Sequence, residues 1–286
     1  MESARSTVTP SAPRNFLAIT LAVWNALFLR ESVARLSSSR GAWVLIVLEP
    51  VLHTAFLLLI YTALRTRSVA GADVVIWLVL GLTTYFTVQN IFQRLMGAID
   101  ANKALFAYRQ VRPIDTVIVR AGLEAFLGFT VLATFMVILS LFGYTVTPDA
   151  PLETMAAYTG LILCALGIGL LLSVVSYLAP EGNNVANFIF RPLYLLSGVI
   201  FPLTSVPVKY REWIFLNPIA HGLELLRASF FPVYHAAPEA NFQYLYGFAL
   251  VSIFLGIALQ VRMARRLRSQ WLLWMTYTSV TGPRMA

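Results

Sequence analysis

The chain has 286 residues, of which 58% are hydrophobic and only 12% are charged. Because roughly a quarter of the residues in a soluble domain are charged, this composition excludes an ordinary soluble globular protein. The net charge is +8, but the basic residues lie at the ends of apolar stretches, which indicates membrane topology and argues against nucleic-acid binding. A single cysteine, Cys164, excludes an internal disulfide and a cysteine metal cluster, and we expect no metal site.

Residues 1–41 are predicted to form a cytoplasmic N-terminus with an amphipathic helix in the membrane surface. The apolar run 16–29 gives only about 21 Å of helix, too short to cross the membrane. Its large apolar residues recur at helical spacing: Leu17, Leu21, Trp24 and Phe28. A spanning signal anchor is the open alternative. A cleaved signal peptide is disfavoured, because Arg30 and Glu31 directly follow the run.

Six apolar segments have about the length that a hydrocarbon core demands of a helix, roughly 20 residues. They cover residues 42–64, 74–92, 116–142, 154–179, 186–203 and 244–261. Pro50 predicts a kink in the first segment, and Pro192 and Pro202 bracket the fifth. The sequence therefore predicts an all-α membrane protein with a six-span domain over residues 42–262 and a cytoplasmic tail over residues 263–286.

Two short amphipathic helices are predicted between the fifth and sixth spans, where Asn217-Pro218 separates residues 208–216 from residues 219–231. Thirteen residues reach only about 20 Å, so neither helix can cross a core of about 30 Å. The helices therefore either dip into the membrane and return, buried against other helices, or form an ordinary external loop. We favour re-entrant or gate helices.

The distribution of positive charge predicts that both termini are cytoplasmic. With the N-terminus inside, the cytoplasmic segments hold more than twice as many lysines and arginines as the outer segments. The segment 94–115 then faces the cytoplasm.

No catalytic motif is present in the sequence. A phosphate-binding loop ends in Gly-Lys-Ser/Thr, but neither Lys103 nor Lys209 follows a glycine. HExxH and GxSxG motifs are also missing. We expect a non-enzymatic chain that binds no cofactor itself and takes its energy from a partner or an ion gradient.

Few ionisable residues lie at membrane depth: Glu49, His53, Arg120, Glu124 and Arg191. Arg120 and Glu124 are four residues apart, which predicts an ion pair on one helical face, and Glu49 and His53 share a face in the same way. A proton relay in an ion-coupled carrier is the alternative use of these groups.

The cytoplasmic segment from residue 100 to residue 116 is predicted to be amphipathic and helical as far as Pro113. It sets Leu105, Phe106 and Tyr108 among basic residues. Aromatic and arginine side chains together favour a docking surface for a partner protein over a solvated connector.

Five stretches resemble the transmembrane subunit of capsular-polysaccharide exporters, within the type-2 ABC exporter superfamily. They are LFLRE (27–31), LEPVLH (48–53), AIDANKALFAYRQVRPIDT (98–116), RPLYLLSGVIFPLTSVP (191–207) and NPIAHGLELLR (217–227). The likeness runs from about Phe16 to Arg268. The third stretch is the specific one, and the end of the chain after Arg268 matches no family feature and is given no role.

The resemblance implies a homodimer in the bacterial inner membrane, docked on two copies of an ABC ATPase subunit that holds ATP and Mg. It places an interface helix near residues 16–38, a coupling helix at 102–112 and periplasmic gate helices around Asn217-Pro218. The implied cargo is a lipid-linked acidic polysaccharide moved from cytoplasm to periplasm. A periplasmic adaptor or co-polymerase and an outer-membrane exporter are implied as further partners.

Three sets of candidate residues follow. The ATPase-coupling set is Asn102, Leu105, Phe106, Tyr108, Arg109 and Arg112. The substrate-pathway set is Glu49, His53, Arg120, Arg191 and Tyr194. The periplasmic-gate set is Trp213, Asn217, His221, Glu224 and Arg227, although the last three could equally form a surface ion network. Arg191 is expected to meet anionic groups of the polymer, or else to reach lipid headgroups or a partner within the protein.

Other functions stay open at this point. Within the superfamily, the cargo could be O-antigen, teichoic acid or a drug. An ion-coupled carrier would need no ATPase, and a membrane scaffold would leave no cargo trapped in the cell after its deletion.

Overall fold

The computed structural model describes residues 16–36, 42–64, 68–108, 110–179 and 182–281. Ten α-helices occur in these ranges: α1 Phe16–Leu36, α2 Ala42–Ala63, α3 Val74–Met96, α4 Ala98–Ala101, α5 Pro113–Leu141, α6 Pro151–Leu178, α7 Gly182–Leu196, α8 Val208–Ile214, α9 Pro218–Phe230 and α10 Phe242–Thr281. Two 3-10 helices cover Lys103–Ala107 and Leu203–Ser205. Strands β1 Ser68–Val69 and β2 Ala72–Asp73 form a small antiparallel hairpin before α3.

The chain is an all-α, multi-pass membrane protein, as predicted. In the described ranges, five helical segments are long and apolar enough to cross a membrane: Leu17–Leu36, Val74–Met96, Pro113–Leu141, Pro151–Leu178 and Phe242–Ala264. Helix α2 contributes a shorter apolar stretch, Leu48–Ala63. The first of these five segments is α1, which was predicted to lie in the membrane surface.

Helix α7 ends before the predicted fifth span does. It covers 15 residues, about 22 Å of helix, and stops at Leu196 rather than at residue 203. Gly198 has a φ of +69°, a left-handed conformation that terminates helices and favours glycine. The chain from Ser197 to Pro202 therefore leaves the helical path before α8 begins.

Helix α10 continues beyond its predicted span. It has 40 residues, about 60 Å, so it is roughly twice as long as the hydrocarbon core is thick. The tail predicted from residue 263 onward thus continues the same helix as far as Thr281.

Helix α3 is the central helix of the bundle. Its residues Trp77, Leu78 and Leu82 are fully buried, and it packs against α5, α6 and α9. The Asp73 carboxylate caps its first turn by accepting hydrogen bonds from the backbone N–H groups of Val75 and Ile76. This cap fixes the point at which the hairpin becomes helix.

Two opposite ends of the bundle can be distinguished from the contacts. At one end, called the α1 end, α1 meets the first turns of α5. At the other, the α9 end, the backbone N–H of Asp149 donates to the carbonyl of Phe230 and that of His235 donates to Ala70. The α5–α6 turn, the hairpin and the C-terminus of α9 are therefore tied together there.

Candidate functional site at the two ends of the bundle

The coupling segment, residues 97–112, is not one continuous helix. Helix α4 is followed by the 3-10 helix Lys103–Ala107, and the described residues Tyr108, Val111 and Arg112 lie outside helices. Arg112 is extended, with φ −107° and ψ 149°, because a residue that precedes proline is disfavoured in the α region. The prediction of a helix running to Pro113 is wrong, since the 3-10 helix already ends at Ala107 and Tyr108 is extended.

The predicted ATPase-coupling residues divide into an exposed and an inward-facing group. Tyr108 is 67% exposed, and Arg112 is exposed as well. Leu105 and Phe106 are half-buried, and Phe106 packs against the hydrophobic core. Arg109 lies outside the described residues. Tyr108 and Arg112 are thus at the surface of this segment, whereas Phe106 is largely covered.

Asn102 is buried and uses its side-chain amide to connect the coupling segment to α1. Its Oδ1 accepts a hydrogen bond of 2.6 Å from Arg30 Nη1. Its Nδ2 donates to Glu31 Oε1 at 3.2 Å and to the Ala98 carbonyl at 2.8 Å. Both donors and the acceptor of a buried amide are therefore satisfied, which is the condition for burying it at low cost.

Arg120 on α5 binds Glu31 on α1 rather than Glu124. Its Nε and Nη2 donate to the two carboxylate oxygens of Glu31 at 3.0 and 2.8 Å. Its Nη1 donates to the Arg94 carbonyl at 3.1 Å. The predicted Arg120–Glu124 pair is wrong, because a bidentate arrangement is geometrically better than a contact between neighbours on one helix.

Glu124 has its own cationic partners from two other helices. Its Oε1 lies 3.0 Å from Arg35 Nε on α1 and 3.5 Å from Arg94 Nε on α3. The Glu124 side chain is only 3% exposed. The buried Glu124 thereby joins α5 to α1 and α3 at the α1 end.

Helix α1 runs beside α5 in the same direction, so that successive residues of α1 contact successive turns of α5. Trp24 Nε1 donates to Asp115 Oδ1 at 2.9 Å, and the Glu31–Arg120 and Arg35–Glu124 pairs follow one to three turns later. Leu17, Leu21 and Val33 are exposed. Helix α1 therefore lies along the first turns of α5, with these apolar side chains outward.

Lys103 has one partner within the coupling segment and one on α6. Its Nζ lies 2.5 Å from Asp100 Oδ1 and 4.8 Å from the centroid of the Tyr177 ring on α6. The hydrogen bond to Asp100 raises the pKa of Lys103 above its ordinary value. Lys103 therefore stays charged at neutral pH.

A polar cavity of about 100 Å³ lies between α2, α3 and α5. Its polar lining includes Glu49, Thr83, Thr87, Gln89, Asn90, Gln93 and Glu124. Polar side chains at membrane depth require polar neighbours or water. This cavity meets that requirement and places Glu49, a predicted pathway residue, on its wall.

His53 and Tyr194, two other predicted pathway residues, are brought together by α2 and α7. His53 Nε2 and the Tyr194 hydroxyl are 2.8 Å apart, and the rings of Tyr85 and Phe86 pack around them. The hydrogen-bond partner of His53 is therefore Tyr194, and Glu49 on the same face contributes an electrostatic interaction with His53. Arg191, one turn earlier on α7, is exposed.

Three predicted gate residues, His221, Glu224 and Arg227, are buried on α9. They are 4%, 0% and 0% exposed, so they do not form a surface ion network. Helix α9 packs against α6, α10 and α3, so it lies within the bundle. Helix α8 is different: Trp213 is 74% exposed, and no residue of α8 is buried.

Arg227 and Glu224 hold the irregular chain that follows α7. Arg227 donates to the carbonyls of Gly198 and Val199 at 2.7 and 3.1 Å. Glu224 accepts from the backbone N–H groups of Leu203 and Ala237 and from the Tyr234 hydroxyl. The two charges thus fix both ends of the segment 198–203.

The remaining two gate candidates lie where α8 joins α9. Asn217 caps α9 by accepting from Ile219 N, and its Nδ2 donates to Ser197 Oγ at 2.8 Å. His221 Nδ1 accepts from Asn241 N, and Nε2 lies 2.7 Å from the Phe215 carbonyl. A backbone donor on one nitrogen and a carbonyl on the other identify the neutral Nε2–H tautomer.

Several residues at these sites were missed by the sequence analysis. They are Trp24, Arg30, Glu31, Arg35, Trp77, Arg94 and Asp115. The stretch LFLRE contains two of them, and a Glu and an Arg so close to an apolar run were a usable signal. The partners of the four residues on α1, however, lie 71 to 91 residues away in the chain.

Comparisons with known proteins agree with this architecture. The family described as ABC-2 type transporter matches residues 22–231. The chain is 36% identical over 234 residues to the polysialic acid transport protein KpsM of Escherichia coli, covering 82% of this chain and 90% of the relative. It is 27% identical over 257 residues to the capsule polysaccharide export inner-membrane protein CtrC of Neisseria meningitidis serogroup A, with 89% and 96% covered. Identity to the capsule polysaccharide export inner-membrane protein BexB of Haemophilus influenzae is 25% over 215 residues, with 75% and 81% covered.

Proposed function

The chain belongs to the ABC-2 type transporter family, and on that premise we propose that it is the membrane-spanning subunit of an ATP-driven capsular-polysaccharide exporter. Its cargo is a lipid-anchored acidic polysaccharide, moved from the cytoplasm to the periplasm. The observation that carries this proposal is the 36% identity to a polysialic acid transport protein over 82% of this chain and 90% of that protein. The chain itself catalyses no reaction.

Energy comes from a separate ABC ATPase subunit, present in two copies, which holds ATP and Mg. The sequence has no phosphate-binding loop of its own. The exposed Tyr108 and Arg112 at the α1 end have the character of a docking surface. Both termini, the α1 end and the bound ATPase lie on the cytoplasmic side, in agreement with the distribution of positive charge.

Two copies of the chain enclose the pathway. Helix α7 presents Phe188, Ile189 and Leu195 outward, and α2 presents Leu52, Phe56 and Leu59, which gives each copy an apolar face for its partner or for lipid. Glu49, His53, Arg191 and Tyr194 lie on these same two helices and contribute to the pathway lining.

Helices α8 and α9 form the periplasmic gate. The buried charges of α9 keep the segment 198–203 in place, while the exposed α8, with Trp213, faces the periplasm. A periplasmic adaptor or co-polymerase and an outer-membrane exporter receive the polymer beyond the gate.

Deletion of the gene in its host, with a wild-type copy for rescue, tests this function. We expect capsular polysaccharide to accumulate in the cytoplasm while its synthesis continues. A normal amount of surface polysaccharide in the deletion strain, if it has no second exporter, would contradict the capsule proposal and favour another cargo, such as O-antigen or teichoic acid. Insensitivity of export to loss of the ATPase, combined with sensitivity to protonophores, would indicate an ion-coupled carrier instead.

A further inference from the structure

Helix α1 is bonded to the coupling segment near both of its ends. In the first half of the segment, the Asn102 side chain accepts a hydrogen bond from Arg30 and donates one to Glu31. Just beyond the end of the segment, in the first turn of α5, one carboxylate oxygen of Asp115 accepts a hydrogen bond from Trp24. The other oxygen accepts one from the backbone N–H of Arg112. A displacement of the segment relative to α1 would have to break contacts at both places.

Glu31 is the residue on which these contacts converge. Its two carboxylate oxygens accept three hydrogen bonds, two from Arg120 and one from Asn102. Glu31 is 9% exposed and Asn102 is 1% exposed. Separating these groups would leave a charge and an amide buried without partners, which is strongly unfavourable.

The surface that meets the cytoplasm is distinct from these contacts. Tyr108 and Arg112 face outward on the coupling segment, whereas Asn102 points inward to α1. The segment is therefore connected to α1 through Asn102 and Glu31, and Glu31 is in turn bonded to Arg120 of α5.

We propose that Glu31, Asn102 and Arg120, the α1 clamp, are positioning residues that make α1 and the coupling segment move as one body when the ATPase subunit acts. The inference rests on the proposed function only in naming the ATPase as the source of the force. None of the three residues has to touch the cargo or the nucleotide.

Spin-label distances between α1 and the coupling segment test the clamp directly. Cys164 is the only cysteine, so a Cys164→Ala background allows specific labelling of Asn25→Cys and Ala101→Cys, both exposed positions. The distance between the labels is measured in the full chain bound to its ATPase subunit, without nucleotide and with a non-hydrolysable ATP analogue. The same pair is then measured with Glu31→Gln and Asn102→Ala added, and with Gln110→Ala, an exposed residue of the same segment, as the matched control.

In the chain without clamp substitutions, we expect a narrow distribution of distances between the two labels, which the nucleotide does not change. In the Glu31→Gln/Asn102→Ala variant we expect this distribution to become broad. A shift of the distance on nucleotide binding, or a clamp variant as narrow as the Gln110→Ala control, would overturn the proposal. If the ATPase subunit does not bind the chain at all, the proposed function fails. The broadening measured in the free chain still decides whether the clamp exists. A double variant that fails to fold is replaced by the single Asn102→Ala variant, which must also lose the narrow distance for the proposal to stand.

Discussion

The guanidinium carbon of Arg227 lies 3.7 Å from the centroid of the Trp77 ring, at a point where both side chains are fully buried. The stacked cation also donates to the carbonyls of Gly198 and Val199. Arginine suits such a position because its planar group can stack on an aromatic face and donate in its own plane at the same time. One side chain of the buried helix α9 thus joins the central helix α3 to the chain that follows α7.

Arg227→Ala is expected to lower the free energy of unfolding by about 3–5 kcal/mol, because it leaves Glu224 as a buried charge without its nearby counter-charge and two carbonyls without a donor. Thermal unfolding in detergent measures this loss. Lys209→Ala, at an exposed position of α8, is the control and should change the unfolding temperature little. An equally stable Arg227→Ala protein would show that the stacking on Trp77 contributes nothing.

Gly81→Ala should destabilise the protein by about 1–3 kcal/mol. A Cβ at this position would overlap Nη2 of Arg227, and the guanidinium cannot retreat without giving up its carbonyl partners. Gly122→Ala on α5 is the matched control because its Cβ would meet no atom within 4 Å. That variant should be as stable as the wild type or up to about 1 kcal/mol more stable, since alanine is the better helix former. Equal stabilities of the two variants would contradict this account of Arg227.

Tyr108→Ala is expected to weaken binding of the ATPase subunit by about tenfold, or about 1.4 kcal/mol, because an exposed aromatic side chain at a docking surface contributes much of the binding energy. The affinity of the purified ATPase subunit for the chain in nanodiscs measures this effect. Gln110→Ala serves as the neighbouring exposed control. Unchanged affinity for Tyr108→Ala would move the docking surface elsewhere.

Arg191→Ala is expected to reduce export at equal protein abundance by about tenfold, the effect of losing about 1.4 kcal/mol of interaction with an anionic polymer. Arg191→Lys keeps the positive charge and should retain most of the export. Surface polysaccharide per molecule of transporter is the quantity to measure. Full export by the alanine variant would remove Arg191 from the pathway and leave contact with lipid headgroups as its role.

Several features of the fold could be predicted because they depend on local chemistry. The two short helices were predicted at residues 208–216 and 219–231 and are found at Val208–Ile214 and Pro218–Phe230. Asn217-Pro218 is a local signal, since asparagine caps a helix and proline favours its first turn. The end of α7 was predicted less well, because the left-handed conformation of Gly198 is one of several that a glycine can adopt.

The sequence by itself determined that this chain is a multi-pass helical membrane protein, because the length of an apolar run and the scarcity of charge are properties of the chain alone. Only the tertiary structure decided which charges meet. Glu124 lies four residues from Arg120, yet Arg120 binds Glu31, 89 residues away, and Asn102, predicted to face an ATPase, turns inward to the same carboxylate. A buried charge takes the partner that satisfies its full hydrogen-bonding geometry, and that partner is set by how the helices pack rather than by its distance along the chain.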